Sequence, residues 1–466
     1  MFKRNLAAMA AAVVLPCAAQ AQDAELAQIR EEIKRMKETY ERRIQTLEKR
    51  LAASEAKAGK AEQTPARIEP TAGAAARSGA ANAFNPAISL ILQGTYADTS
   101  RDPNDFQITG FIPSGGEVGP PKRSFGLSET ELIFTANVDP YFRGVAITAL
   151  TPENEVEVEE AYFQTLALPQ GLTLKGGRFL SGIGYQNEIH QHAWDFQDAP
   201  LPYKAFVGGR LRHDGVQFRW LAPAPIFLEL GAELSSGDQF PGSERNKNGV
   251  GGSAVFAHVG DDIGESYAWR AGLSYLKTSP QDRAYEDVDS LGGVVANSFS
   301  GDAKLWVADA VLKWAPNRNS TYTNFKLQGE YFRLRQDGRF TYDDSAGSAT
   351  FGSLTDVFNS SQSGWYLQGV YQFMPRWRVA YRYDRLNFGT LNNSIVLNRL
   401  GPTGADFPVL TPHDPTRNTL MLDWSPTEFS RVRLQLVADK SRFGATDNQV
   451  FVQYIHSLGA HGAHRF

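Results

Sequence analysis

The chain has a single cysteine, Cys17, in 466 residues, so no disulfide scaffold can hold it together. It has no excess of positive charge: 47 lysines and arginines stand against 51 aspartates and glutamates, for a formal net charge of -4. A nucleic-acid binder needs a strongly basic face, and this balance argues against one. No run of eighteen apolar residues follows the N-terminus and the mean hydropathy is -0.35, which excludes a bundle of membrane-spanning helices. A membrane β-barrel escapes that exclusion, because its strands are apolar on one face only. Catalytic motifs are missing too. There is no H-E-x-x-H, no G-x-S-x-G and no glycine-rich phosphate loop after a strand, so neither an enzyme nor a cofactor is expected.

What is present begins with an address. Residues 1–21, MFKRNLAAMAAAVVLPCAAQA, join Lys3 and Arg4 to the short apolar run 6–15 and an Ala19-Gln20-Ala21 cleavage pattern. That is a secretory signal peptide. Over residues 22–54, Leu26, Ile29, Ile33, Met36, Tyr40, Ile44, Leu47 and Leu51 recur every three or four positions on a charged background. This heptad seam predicts a coiled coil, too narrow to be stable without partner helices. Residues 55–84 are rich in Ala, Gly, Pro and charge without periodicity, the composition of a flexible linker.

From residue 85 to 466 the period becomes two. Leu132, Phe134, Ala136 and Val138 alternate with Glu131, Thr135 and Asn137; Trp377, Val379, Tyr381 and Tyr383 alternate with Arg376, Arg378, Arg382 and Asp384. Short connections, mostly proline-bearing, recur at Asp139-Pro140, Pro169, Pro223, 261–265, Pro316, Pro375 and Pro426. Between them lie long polar loops near 98–122, 181–207, 235–252, 278–302, 337–362 and 387–415, and two short ones at 151–155 and 440–447. Seven turns and eight loops join sixteen strands, which predicts an all-β fold: a sixteen-stranded antiparallel transmembrane β-barrel preceded by the short helical coiled coil. Phe142, Trp220, Trp314, Phe373, Trp377 and Trp424 all fall near the short turns, as an aromatic girdle at one membrane interface requires. A soluble sandwich has no reason to sort tryptophan this way.

With signal peptide, coil, linker, barrel and terminal Phe466 in this order, the chain resembles the outer-membrane porins that carry an N-terminal periplasmic coiled coil, of the phosphate-selective O/P type and the dicarboxylate type. The resemblance implies a homotrimer of independent pores in the outer membrane of a Gram-negative bacterium, with the coil in the periplasm. It implies outer-membrane lipid and small hydrophilic solutes as partners, and passive diffusion as the function. The last residue is its only motif, so no site residue is carried over from it.

The register itself nominates residues. Those facing the lumen include Glu129, Glu131, Glu229 and Glu233 on early strands and Arg376, Arg378, Arg382, Arg431 and Arg433 on late ones. Set opposite one another at middle depth, they make a transverse field and an anion-leaning pore. The loop at 181–207 is expected to fold inward, pinned by Trp194 and Phe196. Tyr185, Glu188, Asp195 and Asp198 then form the constriction, with the three carboxylates facing the channel. His190, His192, His461 and His464 show no third ligand along the sequence, so no metal site is assigned. Two other functions compete. A TonB-type receptor for active metal uptake needs about 22 strands and a folded plug. A structural barrel tethered by its coil to a periplasmic partner needs no pore at all.

Overall fold

The computed structural model describes residues 86–115 and 118–459. The signal peptide, the coiled coil, the linker, His461, His464 and Phe466 lie outside the described residues.

Alternating strands form wherever one face can be buried and the other is apolar. They are β1 (Ala87–Thr99), β2 (Ser124–Leu127 and Thr130–Asn137), β3 (Phe142–Leu150), β4 (Val156–Thr165) and β5 (Leu172–Leu180). Next come β6 (Arg212–Leu221), β7 (Phe227–Ser235), β8 (Gly252–Ile263), β9 (Tyr267–Thr278 and Arg283–Val288) and β10 (Val294–Trp314). The ring is completed by β11 (Asn324–Asp343), β12 (Ser353–Met374), β13 (Trp377–Asn393), β14 (Thr416–Thr427), β15 (Ser430–Asp439) and β16 (Asp447–Gly459). The two pieces of β2 both pair with β1, and the two pieces of β9 both pair with β10, so these are sixteen staves. Each stave pairs antiparallel with its neighbours, and β16 returns to β1 from Ser89 opposite Gly459 to Thr99 opposite Gln449. The sheet closes on itself, the only way a sheet can satisfy its edge groups in lipid.

β14 shows the pattern. Arg417, Thr419, Met421 and Asp423 are buried inside, while Leu420, Leu422 and Trp424 are exposed on the outside. The girdle residues lie beside the short turns, with Phe142, Trp220, Phe373 and Trp424 exposed. Trp377 and Trp424 are register partners whose rings stack at 5.8 Å.

Two expected loops, 278–302 and 337–362, are largely strand. β10, β11 and β12 run for 21, 20 and 22 residues. Their polar composition is misleading because Ser298, Ser300 and Thr355 point outward, while Phe299, Phe340 and Phe358 point inward. There they join a large apolar cluster with Phe111, Phe206 and Phe407 from other loops. Strand continues as long as it has something apolar to cover. The loop end of the barrel is therefore packed like a protein core, and the charged interior lies elsewhere.

Candidate functional site: the third loop and its two walls

The segment 181–211 enters the barrel. Its helix α1 (Leu201–Val207) is buried at every residue, ends in Gly208 at φ 66, and begins after Pro200. A residue with no Cβ is suited to that left-handed terminus. At Gly184, φ is +66 and an added Cβ would clash with the Glu330 Oε2 atom. That close approach lets the backbone N–H groups of Tyr185 and Gln186 donate to the Glu330 carboxylate at 3.1 and 3.0 Å. The hydroxyls of Tyr203 and Tyr366 donate to the same carboxylate at 2.9 and 2.6 Å.

One wall, β13 to β15 with Lys326 from β11 two staves before it, is basic. Asp198 takes Lys204 at 2.8 Å, Arg417 at 2.7 Å and Arg382 at 3.3 Å. Asp195 takes Lys326 at 2.5 Å and Arg378 at 3.2 Å. Arg378 also grips Asp423 with two bonds, 3.0 and 2.5 Å. Arg433 and Arg431 donate to the Trp194 carbonyl at 2.6 and 3.3 Å. Phe196 packs on Val370, Ala380 and Met421, with the Arg382 guanidinium 4.7 Å from its ring. Burial alone would raise the carboxyls of these two loop aspartates, but the surrounding cations outweigh it and hold both well below the usual carboxylate range.

The other wall, β2 and β4, is acidic. His190 lies 3.0 Å from Glu160 and 3.4 Å from both Glu131 and Glu159. His192 is 2.9 Å from Glu131. Arg210 bonds Glu129 at 3.1 Å and also Glu159. Farther round, on β6 and β7, Arg219 pairs with Glu188 and, at 3.3 Å, with Glu229. Glu233 accepts from the Ser181 hydroxyl at 2.6 Å and the Gly182 N–H at 2.8 Å.

These contacts revise several expectations. Asp195 and Asp198 both turn into the basic wall as its counter-charges, and of the two Asp195 also borders the cavity below the loop. Glu188 is bound to Arg219, and Tyr185 is buried with the Arg270 guanidinium 5.2 Å from its ring. Arg376 is not at middle depth. Pro375 ends β12, Arg376 adopts φ 72 in the tight turn, and its exposed side chain donates to the Pro426 carbonyl at 2.7 Å. The opposition of charge is only partial. Glu229 and Glu233 on β7 are eight staves from β15, half the ring, but Glu129 and Glu131 on β2 are only three staves away once β16 closes on β1.

Sequence reasoning missed Glu159, Glu160, Arg210, Lys326, Glu330 and Arg417. Glu159 has no register partner, because Ile147 pairs with Glu160 and Thr148 with Val158. This β-bulge turns both Glu159 and Glu160 inward. The signal was the broken alternation of Val156-Glu157-Val158-Glu159-Glu160-Ala161. Arg417 was in phase with Asp423 and only needed reading.

Below the loop, Lys313, Lys326, Arg378 and Asp195 border a cavity of about 490 Å³ that reaches the short-turn residues Asp262, Glu265 and Arg318. The side chains of Lys326 and Arg378 remain 20 and 21% exposed there, and that of Arg431, on the same wall, 24%.

No family model matches the sequence. An uncharacterized protein of Aquifex aeolicus (strain VF5) is 31% identical over 412 residues, covering 82% of this chain and 80% of that one. The chain belongs to one family with it. Similar solved structures include an outer membrane protein of Vibrio cholerae, OmpT lacking loop L8, at 12% identity and TM-score 0.48, covering 81% of this chain and all of that one. The outer membrane channel DcaP of Acinetobacter baumannii gives 12% and 0.47 over 80% of this chain and 97% of that one. An anion-selective porin from Comamonas acidovorans gives 9% and 0.44 over 80% and 99%. This chain thus forms a closed barrel of sixteen staves with its third loop folded inside.

Proposed function

We propose that the protein is an outer-membrane porin for passive diffusion of small hydrophilic solutes, with a preference for anions. The observation that carries this reading is the inward third loop, held by ion pairs so that partly exposed Lys326 and Arg378 border the cavity beneath it, with Arg431 partly exposed on the same wall. A cationic surface in a confined, low-dielectric space concentrates anions and repels cations. The outward apolar faces and the aromatic residues beside the turns support placement in a membrane.

The test is conductance of the purified full chain in a planar bilayer, with reversal potential read in a salt gradient. We expect stepwise channels with anion preference. Changing Arg378 and Arg431 together to Glu should move the reversal potential toward cations, and the shift should shrink at 1 M salt, where the Debye length is about 3 Å. An unchanged potential removes these side chains from the permeation path, and absent conductance favours the tethered structural barrel.

Trimer assembly belongs to the same proposal and rests on the seam from Leu26 to Leu51. Deleting residues 22–60 should weaken the trimer on crosslinking and leave the monomeric barrel folded, because each barrel closes its own sheet. A barrel that no longer forms would show that the helix is no separate module.

A further inference from the structure

The acidic wall has more anions than the groups around it satisfy. Four buried atoms there lack any hydrogen-bond partner, Nη1 of Arg210 and three that face one another: Oε2 of Glu131, Oε2 of Glu159 and Nδ1 of His190. Glu131 and Glu159 are both fully buried. The three atoms converge, all within 4.8 Å of one another, and Nδ1 is 3.4 Å from each oxygen. No hydrogen bond forms across that distance. It is the spacing that two ligands about 2.0–2.1 Å from a tetrahedral zinc ion would have, roughly 3.4 Å.

The opposite atom of each group is occupied, so the three free atoms are held in place. Oε1 of Glu131 faces Nδ1 of His192 at 2.9 Å, and Oε1 of Glu159 is bound by Arg210. Nε2 of His190 is 3.0 Å from Oε2 of Glu160, whose other oxygen accepts from the Leu180 N–H at 2.9 Å. A carboxylate can only accept, so Nε2 donates to Glu160, while Nδ1 faces the two glutamates, whose charge favours a second proton there; a metal ion would take that proton's place. A carboxylate that orients a histidine in this way is the usual outer partner of a metal-bound imidazole. The bulge at Glu159 makes the set possible, since it brings adjacent residues of β4 inward, one as ligand and the other as orienting group.

We infer that Glu131, Glu159 and His190 bind a first-row divalent cation of the zinc class, tying the third loop to β2 and β4. One imidazole with two carboxylates suits zinc and its neighbours, whereas magnesium and calcium select oxygen alone. Three protein ligands leave a fourth position for water. The inference stands independently of the porin reading, because it concerns a joint between loop and wall whatever passes through the barrel.

The test is titration of zinc chloride into the full chain, purified in detergent and freed of metal by chelator, with strand circular dichroism as the check on folding. The wild type and a His461→Ala/His464→Ala variant should each take up one tightly bound equivalent. Glu159→Gln and His190→Gln should lose it, and Glu160→Gln, which keeps all three ligands, should bind 10- to 100-fold more weakly. X-ray absorption of the zinc-loaded wild type should show one imidazole among oxygen neighbours, which decides the matter even where a variant fails to fold. No saturable uptake overturns the inference. So does uptake that Glu159→Gln and His190→Gln leave unchanged, or a zinc shell with two or more imidazoles.

Discussion

The two walls that grip the third loop are built from the same kinds of contact and differ in their balance. On the basic wall, Asp198 alone meets Lys204, Arg382 and Arg417, and Asp195 meets Lys326 and Arg378. The loop brings anions to a surface of cations, and each carboxylate is more than satisfied. On the acidic wall the loop brings His190 and His192 to Glu131, Glu159 and Glu160, and carboxylate and imidazole atoms remain without partners. A buried ion-pair lattice tolerates excess cation when backbone carbonyls help, as the Trp194 carbonyl does for Arg433. Excess carboxylate needs neutral donors in the same way, as Glu233 finds in Ser181 and Gly182, and Oε2 of Glu131 and of Glu159 find none. Buried atoms lack hydrogen-bond partners on both walls, Nε of Arg417, Arg431 and Arg433 among them, but on the acidic wall three of them converge, and an added cation would complete that set.

The largest effect should come from removing the anion at the centre of the basic wall. Asp198→Ala strands Lys204, Arg382 and Arg417, all nearly or fully buried, without their shared counter-charge. Loss of one partner from a buried ionic cluster costs about 3–5 kcal/mol. Denaturant unfolding in detergent should report a loss of that size, and loop residues near 195–207 should exchange amide hydrogen faster. A loss under 1 kcal/mol would mean that water replaces the carboxylate easily, and that the wall is not sealed by the loop.

The barrel was readable before any coordinates, and the walls were readable only in part. Period-two alternation and proline-marked turns are local properties, so the sixteen staves and their inward faces follow from neighbours in sequence. Arg378, Arg382, Arg431, Arg433, Glu229 and Glu233 do lie on inward faces. What the loop does with Asp195 and Asp198 depends on contacts with residues roughly two hundred positions away, and no local pattern encodes that. The acidic wall was hidden for a different reason. A bulge breaks the alternation at Glu159, and an extra residue at 128–130 separates the halves of β2 before Glu131. A reading that assumes strict alternation fails where the backbone departs from it. Likewise, the opposition of Glu131 to the arginines failed because sequence distance between first and last strands says nothing about a ring that closes.

Glu330 offers an intermediate case, a buried carboxylate satisfied by neutral donors instead of cations. It accepts from two backbone N–H groups and two tyrosine hydroxyls. Glu330→Gln keeps the shape but turns an amide N–H₂ toward two of those donors. The cost should be about 1–3 kcal/mol, the penalty for buried polar groups left unpaired. Stability measured on this variant separates charge from hydrogen bonding in the grip on the loop. A loss as large as that of Asp198→Ala would show that the cationic wall owes little to its charges.

The smallest effect is expected from an ion pair of matching geometry outside the grip. Arg178 binds Asp214 with two bonds, 2.7 and 2.9 Å, much as Arg378 binds Asp423. The difference is burial: the Arg178 and Asp214 side chains are 38 and 44% exposed, whereas Asp423 is fully buried. Exposed pairs gain little in high dielectric and hold two flexible side chains in one geometry, for a net of about 0–1 kcal/mol. A double-mutant cycle with Arg178→Ala and Asp214→Ala should therefore give a coupling under about 1 kcal/mol, falling further in high salt. The same cycle on Arg378 and Asp423 should give several times more and resist salt. Equal couplings would mean that water reaches the loop and its walls freely, and the distinction between a sealed, charge-balanced wall and an open one would collapse with that result.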